Sequence, residues 1–307
     1  MSMQPEDRSS EPSVSFKKSS FITSVGRELT VNMVDRSIAL EALGALCNGN
    51  VTSVQQQASP AFSPRANHHV GSRQNLSIKL LIPTVVDGDE HSQASRSSFY
   101  HIKSILEPSG RAFSPALDEP VVDIQKNLIM DEDEFFAPQY NYDFTKLTQT
   151  ETYWRGGEKY ERPCGWYRFG LKVLDKYPGT TWLGTTYRGT QSNPGEWPVS
   201  YHGTSKTGAE GIIGDHYEPG PGQAYGRGIY STPDIGVANQ YAKTFTSSKN
   251  GKTYKVVLQN RINPEYRKKY VNDLYWLVPI PKGKSEDEEQ EMVERAIRPY
   301  GLLLKEV

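Results

Sequence analysis

Every tryptophan in this 307-residue chain, Trp154, Trp166, Trp182, Trp197 and Trp276, falls in its second half. Large aromatic side chains dominate core burial, so that half must carry the main fold. The chain before it has a different character. Residues 1–28 are Ser-rich and polar, a composition expected to stay disordered. Residues 29–125 form a low-complexity region with one concentrated apolar stretch, in which DRSIALEALGALC (35–47) has helical spacing through Ile38, Leu40, Leu43 and Leu46. LSIKLLIPTVV (76–86) reads as a strand and SSFYHIKSILE (97–107) as a short helix. That order fits either a small α/β module or an extension packed on the main domain. Before that strand, His68 and His69 lie in a Ser-, Gln-, Asn- and Pro-containing linker (52–76) and are expected to be solvated. The acidic run MDEDEFFAP (130–138) marks the border. An aromatic and basic segment, 126–196, is expected to pack on a domain formed by residues 197–307.

The bulk numbers narrow the class of partner. Hydrophobic residues are 36%, charged residues 23%, and the formal net charge is -1, which gives no electrostatic case for bulk binding to nucleic acid or acidic membrane. Two cysteines are too few for a disulfide framework or a cysteine-built zinc site. No apolar run approaches the roughly 20 residues that span a bilayer, and MSMQPEDRSSEPS lacks an apolar signal core. A reducing compartment, cytosol or nucleus, and no membrane are therefore expected. GWYRFGLKVLDKY (165–177) reads as a helix with Trp166, Phe169, Val173 and Leu174 on one side. Arg155, Arg162, Arg168 and Lys172 then make either a solvated surface or a basic face for an anionic partner such as nucleic acid.

The chemistry concentrates after residue 196. EWPVSYHGT reads as a strand ending at His202-Gly203-Thr204, and KTGAEGIIG as a helix. DHYEPGPGQAYGRG (215–228) is a Gly- and Pro-rich loop, whose His216 is read as solvated. GIYST, KTYKVVLQNRI, NDLYWLVPI and IRPYGLLLKEV read as strands, PDIGVANQYAKTF as a helix, and KGKSEDEEQEMVER as an exposed acidic excursion. The order is α+β with few helices. A histidine at a strand end can hold a ligand hydroxyl through one ring nitrogen. A glycine after it lets a flat ligand approach the backbone, and a tyrosine on a neighbouring strand offers a face for stacking. Together they suit a flat heterocyclic amide attached to a sugar.

HGT at 202–204, GRGIY at 226–230 and A-x-x-Y at 238–241, in that order and spacing, resemble the diphtheria-toxin-like ADP-ribosyltransferases, with the poly(ADP-ribose) polymerase catalytic domain the nearest pattern. The resemblance covers about residues 197–307. It implies a split mixed or antiparallel β-sheet domain with NAD as substrate. His202 would bond the adenosine-side ribose, Gly203 would pair its backbone with the nicotinamide carboxamide, and Thr204 would help hold the ribose. Tyr230 and Tyr241 would sandwich the nicotinamide ring. The loop from Asp215 to Tyr225 would lie beside the dinucleotide.

Two positions depart from the pattern. Polymerase members carry a carboxamide-binding serine three residues before the second tyrosine, where this chain has Ala238, leaving Ser231 or water to substitute. They also carry a glutamate on a late strand. In NDLYWLVPI the match to Tyr275 puts Leu274 at that place, and the other register puts Asp273 there. A leucine cannot act as general base. The resemblance then implies mono-ADP-ribosylation of a macromolecule, with a protein as acceptor. The alternative is an inactive module of the same fold that binds protein, RNA or nucleotide.

Overall fold

The computed structural model describes residues 35–57, 73–83, 126–185, 189–203, 225–226, 228–281 and 283–307. The readings for residues 1–28, the paired histidines 68–69, the 97–107 helix, the helix after His202 and His216 lie outside them.

Helix α1 (Arg36–Cys47) forms where its apolar spacing predicts. Asp35 caps it by accepting from the Ser37 N–H at 2.9 Å, and Asn48 closes it in the left-handed region at φ 50°. Its burial runs nearly all round because it is packed from two sides, by β1 (Gly49–Ser53) and by strands β10 (Lys243–Thr246), β11 (Thr253–Ile262) and β14 (Ile297–Glu306). The small sheet containing β1 is parallel, with β3 (Lys126–Met130) between β1 and β2 (Arg73–Asn75). The strand expected from 76 onward is instead helical over 78–83. Ser77 Oγ accepts from the Leu80 N–H at 3.4 Å, and Ile78, Leu81 and Ile82 are buried at i, i+3 and i+4. A short apolar run is compatible with either state until its packing partners are known.

The main sheet has six antiparallel strands, ordered β10-β11-β14-β7-β4, with β8 (Val199–His202) also paired to β11; β7 is Tyr167–Gly170 and β4 is Tyr142–Asp143. β14 lies along the whole of one edge of β11. The other edge is divided, with β10 opposite Thr253–Val256 and β8 opposite Leu258–Arg261. Both strands are buried along most of their length because both faces are covered. Val256, Leu258, Leu302 and Leu304 enter the larger core, and Val257 and Leu303 enter a second core with Tyr201 and Ala238. Pro299, which has no N–H to give a ladder, sits beside a register shift at Gln259/Asn260.

The segment 165–177, expected as a helix, contributes β7 instead. Tyr167 and Phe169 alternate into the main core, and β14 supplies the ladder that overrides helical spacing. The basic residues in and before it are each engaged by local partners. Arg155 is buried and donates to the carbonyls of Trp154 and Gly189, Arg162 lies over Tyr153 and Phe144, Arg168 over Tyr142 and Phe144, and Lys172 binds Glu134 at 2.8 Å. Trp154 is exposed rather than core. The acidic excursion is α3 (Glu286–Ala296). Ser285 and Glu288 form a reciprocal capping box, four acidic residues occupy the first turn, and Val293 and Ala296 are buried.

Charged groups fasten the connection between β7 and β8. Arg261 Nη2 lies 3.7 Å from Glu196 Oε2, both side chains buried, and the guanidinium donates to the carbonyls of Trp197 at 2.5 Å and Leu183 at 2.6 Å. Arg298 lies over Tyr177, Trp182 and Trp197 at 4.6, 5.0 and 4.5 Å. Removing one partner of a buried pair leaves an uncompensated charge. Glu196→Ala is expected to cost about 3–5 kcal/mol in urea unfolding, and Glu196→Gln, whose single amide oxygen keeps one of the two acceptors used by Gly156 and Arg261, less.

Candidate functional site

A second sheet holds β9 (Gly228–Ser231), β13 (Tyr275–Pro279) and β12 (Lys268–Tyr270), in the order β12-β13-β9. Arg267 and Lys269 bind Glu158 in the hairpin of β5 (Tyr153–Arg155) and β6 (Glu158–Tyr160), and the Arg267 guanidinium lies 3.7 Å from the Trp276 ring centre. Among the described residues an isolated bridge joins this sheet to the main one. Tyr201 N–H donates to the Thr232 carbonyl at 2.7 Å, and Thr232 N–H returns a bond to Tyr201 at 3.0 Å.

In an unbroken antiparallel ladder the next hydrogen-bonded pair would be Gly203 with Tyr230. Here the strands have parted. His202, buried at the end of β8, reaches across so that its Nδ1 lies 2.5 Å from the Tyr230 carbonyl. A carbonyl only accepts, so Nδ1 carries the proton, and in the neutral ring Nε2 is the acceptor. Gly203 sits at the fork. A Cβ there would lie 2.8 Å from the Tyr241 carbonyl carbon and oxygen and 2.9 Å from the Ala238 oxygen. Only a residue without a side chain lets β8 approach helix α2 (Ile235–Gln240) this closely.

α2 is set by Asp234, whose Oδ1 accepts from the Gly236 and Val237 N–H groups at 2.7 and 3.0 Å. The helix is shorter than PDIGVANQYAKTF suggests, because β10 starts at Lys243. It delivers buried Ala238 and, at its C-cap, Tyr241. Tyr230 is half-buried on β9. Its hydroxyl donates to the Gly226 carbonyl at 2.7 Å and accepts from the Tyr225 N–H at 3.0 Å, while the Tyr225 ring stacks on Tyr270 at 4.3 Å. Tyr241 Oη lies 2.9 Å from Tyr275 Oη. Burial first, then the Tyr275 hydroxyl, holds the Tyr241 phenol well above its ordinary pKa. Burial likewise raises Tyr230.

The structure thus gathers His202, Gly203, Tyr225, Tyr230, Ala238 and Tyr241 around one fork. Thr204 lies outside the described residues. Ser231 takes a different place from the one expected: it is buried, donates to the Trp276 carbonyl at 3.5 Å, and by strand alternation faces away from Tyr230. The late strand is also shorter than NDLYWLVPI, starting at Tyr275. Val271, Asn272 and Asp273 all have positive φ, in a turn that Leu274 completes by donating to the Val271 carbonyl at 3.1 Å. The Asp273 carboxylate is exposed and bound to Lys269 at 3.1 Å. Neither Asp273 nor Leu274 is a strand residue. Leu277 pairs with Tyr230, so Tyr275 and Leu277 share the Tyr230 face. Tyr275 is the site residue that sequence reasoning passed over. Its parity with Tyr230 depends on a register set 45 residues away in the chain (Ser231 opposite Trp276).

The arrangement offers two phenol rings, a glycine backbone and an imidazole acceptor at one fork. It suits a flat ring bearing polar groups. Comparison of the chain with models of protein families finds no model that matches, and comparison with curated proteins finds no match. Among the described residues no helix is long and apolar enough to cross a membrane.

Gly203→Ala is expected to displace the end of α2, since the atoms it meets are backbone. The loss of stability should be about 1–3 kcal/mol, read as a lowered urea midpoint.

Proposed function

We propose that residues 197–307 form an ADP-ribosyltransferase-like domain and that the chain is an NAD-dependent mono-ADP-ribosyltransferase acting on a protein. The observation that carries this reading is the fork itself: His202 and Gly203 on one strand, Tyr230 on the other and Tyr241 at the end of α2. NAD as substrate fits these residues. The nicotinamide ring lies between Tyr230 and Tyr241, the bare backbone of Gly203 takes its carboxamide, and His202 Nε2 accepts from a ribose hydroxyl. In the transfer, the bond from ribose C1′ to nicotinamide breaks and nicotinamide leaves with the electron pair. The acceptor side chain bonds to C1′, losing its proton if it carried one. What the protein contributes is orientation and exclusion of water.

A second reading, a module that binds through this fork without turnover, is favoured by one group of contacts. Asp273 is turned out to Lys269, Leu274 lies in a turn, and Ala238 brings no hydroxyl. The purified chain, incubated with labelled NAD beside a His202→Ala/Tyr230→Ala variant, decides between them. Boil-resistant label on the wild type alone, in a discrete band, supports the transferase. NAD binding without label supports the module. No binding and no label sinks the transferase and leaves the module, whose ligand is then sought among proteins, RNA and other nucleotides.

A further inference from the structure

Each ring wall of the fork has its hydroxyl engaged within the protein. On the β9 side the turn 225–226 holds the Tyr230 hydroxyl by two backbone bonds. On the α2 side the corresponding contact is made by one side chain, Tyr275, whose hydroxyl is 2.9 Å from that of Tyr241 and whose ring meets it edge-on at 74°, centres 6.4 Å apart. Tyr241 is the cap residue of a helix only six residues long, and its hydroxyl meets that of Tyr275 on another element. Tyr275, by contrast, opens the central strand of a three-stranded sheet and is paired there with Tyr270 of β12. The end of a short helix is therefore tied to the start of that central strand. Because Tyr275 also shares a face with Tyr230, the two ring walls are referenced to the same sheet.

We propose that Tyr275 is a positioning residue: its hydroxyl fixes the Tyr241 ring and so sets the gap in which the fork receives a flat ring. The inference rests on the NAD reading above for the identity of the ligand. It gives Tyr275 no direct bond to that ligand. Selectivity for ring thickness and planarity then resides in the Tyr241–Tyr275 pair, while polar recognition stays with Gly203 and His202.

The test is a double-mutant cycle on the full chain, with NAD binding measured by calorimetry for wild type, Tyr275→Phe, Tyr241→Phe and the double variant. Tyr275→Phe should weaken binding by about three- to tenfold, the worth of one neutral hydrogen bond. If Tyr275 acts through Tyr241, the double variant binds no worse than Tyr241→Phe alone. Ultraviolet titration of the phenols adds a readout that general loosening does not move. Tyr275→Phe should lower the ionisation pH of one tyrosine, and that change should be missing in the Tyr241→Phe background. Unchanged NAD affinity in Tyr275→Phe, or losses that add in the double variant, overturns the positioning role while leaving the NAD reading intact. Failure of the wild type to bind NAD overturns both.

Discussion

Two hydrogen bonds between Tyr201 and Thr232 hold the two sheets together at the site, and the fork depends on where they stop. Had the ladder continued by one more pair, Gly203 and Tyr230 would bond each other and there would be no opening. It stops because His202 uses the Tyr230 carbonyl. One imidazole therefore ends the pairing, fixes its own tautomer and presents Nε2 as an acceptor. Gly203 completes the arrangement by letting the backbone of α2 close to contact distance.

The rest of the molecule can be read as support for that corner. β8 is short and would not hold its position alone. It is carried by β11, which is braced along its other edge by β14 and buried on both faces. The loop entering β8 is fastened by Glu196 to Arg261 and by three aromatic rings to Arg298. The small sheet is fastened through Arg267 and Lys269 to Glu158. α1, although far in sequence, packs on the same β10, β11 and β14 strands, so part of the region before residue 126 belongs to this core.

Much of the fork was legible in the sequence because its residues sit on short local motifs. Strand β8 ending at His202, strand β9 carrying Tyr230, and α2 ending beside Tyr241 each follow from a few neighbouring residues. The Ser285–Glu288 capping box was equally local, yet the acidic run around it suggested a solvated excursion. What stayed hidden was non-local. Nothing within 165–177 announces that β14 will take Tyr167–Gly170 as a strand. Nothing within NDLYWLVPI announces that the turn extends through Leu274, so alternation counted from Asp273 or Leu274 began inside a turn. The residues of 78–83 were ambiguous for the same reason, since burial favours apolar runs in either conformation.

The divided edge of β11 has a consequence for motion. Its β14 side is continuous from Tyr254 to Ile262, so the alternate β11 amides that point to β14 keep their partners when the other edge opens. β8 and the fork occupy only the Leu258–Arg261 portion of the divided edge. Opening there breaks one short pairing and one bridge, and leaves the central pair of strands intact. In amide exchange, β8 and β9 are expected to open at lower free energy than β11 and β14. Local opening at the fork is thereby separated from unfolding of the central strands, and runs at the rate of that small unit rather than of the whole fold.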